Sequence, residues 1–124
     1  MKTAIIILSD PNSGSEESLG RLFNALATAY DYKQTGEDVI IQLQGTGTRW
    51  IGELIKSDHI AHELYQSVSD KIAGVSCGCA DVFGGSEDAL KSGFDLITDN
   101  AVPGTTGLPS LVKLQKEGRQ ILIF

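Results

Sequence analysis

Ala4-Ile5-Ile6-Ile7-Leu8, then Ser9-Asp10-Pro11-Asn12-Ser13-Gly14-Ser15, then Glu16-Glu17, run on without interruption and set the fold class. The first five residues are all apolar and too few for a helix, so they read as a strand covered on both faces. The next seven are turn formers, and a helix opens at their end, capped by Ser13 or Ser15. With Ser13 as the cap, Glu16 takes the third helical position and completes a capping box. Glu16 and Glu17 also suit the positive end of the helix dipole. Leu19, Leu22, Phe23, Leu26, Ala27 and Tyr30 then make one apolar stripe, and Thr35-Gly36 ends it.

The same alternation continues along the chain. Val39 to Leu43 reads as a second strand, followed by a Thr46-Gly47-Thr48 turn. Trp50, Ile51, Leu54 and Ile55 form a short helix. Ser57-Asp58 offers a new cap, after which Ala61, Leu64, Tyr65 and Val68 keep helical spacing. Ile72 to Ser76 is a third strand that delivers Cys77 and Cys79. Ala80 to Phe83 reads as one helical turn, and Ser86 to Lys91 as another, with Ser86 as its cap. Phe94 to Thr98 is a weaker fourth strand. A helix from Leu108 or Pro109 stops at Gly118, and Gln120 to Phe124 is a fifth strand. Strands alternating with helices predict a three-layer α/β/α fold with a five-stranded, mainly parallel sheet, a single domain over residues 1–124. Ligands bind such sheets at the carboxyl ends of the strands. Three loops gather there: 9–15, 44–49 and 76–85.

Composition narrows the functional classes. A formal charge of −6, with 10 Lys and Arg, argues against direct nucleic-acid binding and against an anionic membrane surface. No stretch reaches the ~20 apolar residues of a membrane span. Met1-Lys2-Thr3 leads straight into the first strand and lacks the pattern of a secretory leader. The only two cysteines are separated by one residue, and a bridge between them would close a strained ring. A reducing, cytoplasmic setting is therefore expected.

Cys77-Gly78-Cys79 allows three readings. A thiolate at the strand end could accept a sulfane sulfur as a persulfide, with the Gly78 and Cys79 amides stabilising the charge. The cysteines could instead be small apolar fillers where backbones approach closely. They could also join His59 and His62 in a zinc set, although Cys-x-Cys is cramped for that; no metal and no organic cofactor is assigned. Ser9, Ser13 and Ser15 give the first loop a hydroxyl-rich character suited to a ligand, but Glu16 and Glu17 behind it would repel a phosphate. Trp50, with Arg49, could cover the third loop or anchor an oligomer contact. Asp81, Asp95 and Asp99 show no paired spacing that recommends acid–base work.

Beyond these local readings, the chain resembles the DsrE/DsrF-like family of small sulfur-handling proteins. The likeness is carried by the opening strand and first helix, by Val75-Ser76-Cys77-Gly78-Cys79-Ala80-Asp81-Val82-Phe83-Gly84-Gly85, and by the closing Leu108 to Phe124 segment. It implies a sulfur-relay protein, sulfurtransferase-like, with Cys77 as the persulfide carrier and Cys79 as a resolving thiol or second carrier. Gly78, Gly84 and Gly85 would let the chain fold closely around the sulfur. Ser9, Ser13 and Trp50 would complete the ligand-binding edge. The resemblance also implies a sulfur donor or acceptor protein as partner, and a homo-oligomer, trimer or hexamer. Relay members carry arginines before the glycine matched by Gly85, where this chain has Phe83-Gly84.

Overall fold

Parallel strands cannot be joined by hairpins, so each connection must cross over the sheet, and the direction of each crossover decides which face its helix covers. The computed structural model describes residues 1–124. In chain order the elements are β1 (Lys2–Ile7), α1 (Glu16–Gln34), β2 (Asp38–Leu43), α2 (Trp50–Leu54), α3 (His62–Val68), β3 (Ile72–Ser76), α4 (Cys77–Phe83), α5 (Ser86–Lys91), β4 (Leu96–Ile97), α6 (Leu111–Lys116) and β5 (Gln120–Ile123). Short 3-10 turns at Gly45–Arg49 and Ser69–Lys71 join α2 to β2 and β3 to α3. The five strands stand in the order β4-β3-β2-β1-β5, and every pairing is parallel.

That order explains the layers. From β1 the chain steps outward to β2, β3 and β4, always in one direction, so α1 to α5 fall on one face. It then returns across the sheet to β5, and α6 falls on the other. The first face buries Ile5, Ile7, Ile41, Leu43 and Val75 against Leu22, Leu26, Ile51, Leu54 and Val68 in one cluster of 18 residues. The second has a hydrophobic cluster of only Ala4, Ile6 and Leu114, with Ile40 and Ile121 alongside. The fold is thus three-layered, as the alternation predicts, but its second outer layer is a single six-residue helix. No helix is long and apolar enough to cross a membrane.

Local structure departs from the sequence reading at the caps. Ser15, not Ser13, caps α1 by accepting from Glu17 N, so Glu16 is the first helical residue and the capping box does not form. Ser13 instead accepts from Ser15 N and meets the Ser18 hydroxyl at 2.8 Å. Helix α3 has no side-chain cap at Ser57 or Asp58; it starts after Ala61. Ser86 lies inside α5, and left-handed Gly85 precedes it. Helix α6 starts after Ser110, whose hydroxyl accepts from Lys113 N, rather than at Leu108 or Pro109.

At the amino edge of the sheet, two ion pairs join distant segments. Lys33 of α1 donates to Asp70 Oδ1 and to the Ser67 carbonyl, both at 2.8 Å. Arg119 donates to Asp38 Oδ1 at 2.9 Å. The Lys33 hydrogen bond holds the Asp70 carboxyl below its ordinary range, and the Arg119 hydrogen bond does the same for Asp38. A carboxyl with a depressed folded-state pKa contributes stability above its unfolded pKa, and that contribution fades as pH falls through the folded value. Stability is therefore expected to decline as pH drops below about 4. Asp70→Asn should be less stable than the parent at neutral pH and show a shallower acid decline, as measured by urea unfolding across a pH series.

Candidate functional site

Ser76 ends β3 and caps α4, its hydroxyl accepting from Cys79 N at 3.3 Å. The two cysteines therefore do not sit in a loop ahead of a helical turn. Cys77 is the first residue of α4 and Cys79 the third. Side chains two apart on a helix point about 200° away from each other. Both thiols are free and half-buried, yet they look out in different directions. For Cys79 to bridge to Cys77 as a resolving thiol, the first turn of α4 would have to unwind; a second carrier role would not require that.

The amide reading needs a correction. Gly78 N donates to Gly107 O at 2.7 Å, and Cys79 N to the Ser76 hydroxyl. Neither is turned toward the Cys77 sulfur. What does reach that sulfur is Thr106, whose Oγ1 lies 3.2 Å from Cys77 Sγ. The same hydroxyl makes a short hydrogen bond with Asp81 Oδ2. Thr106 comes from a loop closed by paired backbone hydrogen bonds between Asn100 and Leu108, 2.7 and 3.0 Å long. A Cβ at Gly78 would come within 2.8 Å of Leu108 Cδ1 and 3.0 Å of Gly107 O. Glycine there lets α4 press against this loop.

A hydroxyl carries one proton, so Thr106 cannot donate to sulfur and carboxylate together. With Asp81 ionised and accepting, the Cys77 S–H donates to Thr106, and the three groups form a directed chain. A negatively charged sulfur would compete with Asp81 for the single Thr106 proton. Beside this chain opens a cavity of about 280 Å³ that Asp81, Thr105, Thr106 and Gly78 line. Asp81 and Thr106 are 25 positions apart, and no spacing rule in the sequence joins them. The only local hint is that Asp81 follows Cys77 by one helical turn.

The remaining expected residues lie elsewhere on the carboxyl edge. Gly84 and Gly85 end α4, roughly 10 Å along the helix from Cys77 at 1.5 Å per residue. They meet the 3-10 turn instead: Thr48 Oγ1 donates to Gly84 O at 2.8 Å. They do not enclose the sulfur, because the helix runs between. Trp50 is buried, and its Nε1 donates to Ser9 O at 2.8 Å. Ser9 also lines a crevice of about 390 Å³ between β1 and β5, the point where the strand order reverses. Arg21 in that crevice is paired with Glu17 at 2.8 Å. Arg49 joins the loops: its Nη1 contacts both Asp10 oxygens, its Nε donates to Phe83 O at 2.8 Å, and its guanidinium lies 5.8 Å from the Phe83 ring centre.

His59 and His62 do not form a zinc set with the cysteines. His59 lies before α3, accepting from Ala61 N through Nδ1, while His62 Nδ1 donates to Leu54 O at 2.7 Å. No three His, Cys, Asp or Glu side chains converge in metal-binding geometry. No protein-family model, curated protein or solved structure matches the chain.

The glycines permit a direct test of this layout. Gly85 has φ +107°, and a Cβ there would lie 2.1 Å from Thr48 O. Gly84, at φ +89°, has open space around it. Gly84→Ala is expected to cost roughly 1–3 kcal/mol of backbone strain alone. Gly85→Ala should cost more than about 3 kcal/mol, because the loops must also part. Gly20→Ala, in the middle of α1 with nothing nearby, should be neutral or stabilising by up to ~1 kcal/mol. Denaturant unfolding of the three variants checks the order.

Proposed function

We propose that this chain is a sulfur carrier of the DsrE/DsrF type, working in a reducing cytoplasm, which accepts sulfane sulfur on Cys77 as a persulfide and passes it to a partner protein. The observation that carries this reading is the contact of a free, half-buried thiol with the Thr106–Asp81 pair beside a small cavity at the strand's carboxyl end. A cysteine that merely filled space would need no hydroxyl on its sulfur. The likeness of the 75–85 segment and of the closing helix and strand to that family supports the same reading.

The chemistry is thiol exchange. The Cys77 thiolate attacks the outer sulfur of a donor persulfide, R–S–SH; the donor S–S bond breaks, R–S⁻ departs, and Cys77–S–SH is formed. Discharge is the mirror step, with an acceptor thiolate attacking the outer sulfur and Cys77 leaving as thiolate. Thr106 follows the charge: it accepts from the thiol and donates to the charged sulfur. Cys79, facing away, takes no part.

The surroundings select the donor. Asp81 is exposed beside the sulfur, and the nearest guanidinium along α4, that of Arg49, is occupied by Asp10 and the Phe83 carbonyl. A unit charge about 4 Å away contributes between ~1 kcal/mol in water and ~4 kcal/mol near a protein surface. An anionic donor such as thiosulfate is therefore disfavoured against a persulfide presented by a partner with a basic rim. A homo-oligomer of this chain would carry the same acidic edge in each copy.

Mass spectrometry after incubation with cysteine persulfide is expected to show a gain of about 32 Da, one sulfur. The adduct should vanish in Cys77→Ser and persist in Cys79→Ser. Asp81→Asn should speed loading from thiosulfate by roughly fivefold or more, with a smaller change for cysteine persulfide. An unmodified Cys77 in the folded protein at saturating donor would overturn the assignment and leave a non-catalytic ligand- or partner-binding module of the same fold.

A further inference from the structure

A buried amide on the thinly covered face of the sheet marks a second site, independent of the cysteines. Gln42 is 4% exposed. It stands on β2 between Ile6 of β1 and Gly74 of β3, on the face that carries α6. Its one side-chain hydrogen bond within the protein is a long contact, 3.5 Å, from Gln44 Nε2 to its Oε1. Its own Nε2 finds no protein acceptor. Turning the amide over exchanges its ends and still leaves one unpartnered. The Gln42 Nε2 keeps contact with the groove, since Arg119 Nε is the one fully buried side-chain polar atom without a partner. Among buried positions, a polar one of this kind is the informative exception.

The unpartnered end faces a groove of about 440 Å³, within the roughly 300–1,000 Å³ of small-molecule sites. The groove exists because the single return crossover leaves β3 and β4 uncovered on this face. Gly74 adds no side chain to the groove; a Cβ there would come within 2.6 Å of Asp95 O. Ile97 and Leu114 offer apolar surface on either side. At the rim, Lys113 is paired with Asp99 and Glu117 leans on Arg119 Nε, both at 3.5 Å. Asp95, also at the rim, has no cationic partner.

We propose that this groove binds a small cationic molecule bearing an amide: its apolar body between Ile97 and Leu114, its ammonium beside Asp95, and its amide against Gln42. An amide both donates and accepts, so it meets the free end of Gln42 in either orientation. The unpaired carboxylate selects the positive charge, and the buried amide selects the polar group.

Titration of the ¹⁵N-labelled full chain at slightly acidic pH, followed by NMR, tests this with three probes. These are phenylalaninamide, phenethylamine (a cation without the amide) and N-acetylphenylalanine (an anion with one). Phenylalaninamide is expected to shift the Gln42 side-chain NH₂ signals saturably, about tenfold more tightly than either of the others. Gln42→Leu should weaken it about tenfold while the thermal midpoint stays level or rises. Asp95→Asn, at an exposed rim position, should weaken it several-fold, and carries the test if Gln42→Leu fails to fold. Cys77→Ser should leave the titration unchanged. Absence of saturable shifts, equal binding of the anion, or full affinity in the folded Gln42→Leu or Asp95→Asn variant would overturn the proposal.

Discussion

Strand β1 has hydrogen-bonded neighbours on both edges and, from Thr3 to Ile7, buried side chains on both faces. A strand in that position can be satisfied only by parallel partners reached through crossovers, and the rest of the molecule follows from that demand. Three outward crossovers stack α1 to α5 on one face, and one return leaves α6 alone on the other. The same parallel arrangement sends every strand's carboxyl end to a single edge. Both unusual features of this protein, the thiol at that edge and the open groove on the sheet face, are therefore consequences of how the chain encloses β1.

The carboxyl edge is held together by side chains of the turn after β2. Arg49 grips Asp10 and the Phe83 carbonyl, Trp50 grips Ser9, and Thr48 grips Gly84. The Arg49–Asp10 pair is about three-quarters buried on the Asp10 side, at 25% exposure, so it is less screened than a surface pair. The Phe83-Gly84-Gly85 segment is thereby explained without reference to sulfur. Gly84 and Gly85 shape the joint between α4 and this turn, and Phe83 gives a surface for the guanidinium. The sulfur is governed from the opposite end of α4, by the loop that carries Thr106. One short helix serves two separate tasks at its two ends.

The strands and α1 were legible because burial on both faces writes continuous apolar runs, and a long amphipathic helix repeats its stripe five or six times. The cap of α4 was less legible. Ser76-Cys77-Gly78-Cys79 contains a good N-cap residue, but glycine among the first helical residues speaks for a loop, and tertiary contact with Leu108 and Gly107 overrode that preference. Thr106 and Asp81 were invisible as a pair because only the fold brings them together. Gln42 is legible in the sequence. In Val39-Ile40-Ile41-Gln42-Leu43 it is the single polar residue of a run otherwise suited to burial on both faces, and that exception was its signal.

Strand β3 contributes to both places. Gly74 pairs with Gln42 of the groove, and Ser76, two residues later, caps the helix that carries Cys77. Two residues span roughly 7 Å along a strand, close enough to invite the idea that a ligand in the groove governs the thiol. Proximity is not coupling. Transmission between sites needs an element with two arrangements that both sites bias, and β3 has hydrogen-bonded partners on both sides, β2 and β4, with Val75 and Ser76 fully buried. The element that does have two arrangements is the Thr106 hydroxyl, which must choose between sulfur and carboxylate. It sits on the 100–108 loop, outside β3. The sheet therefore offers no second arrangement through which a ligand in the groove could reach the thiol.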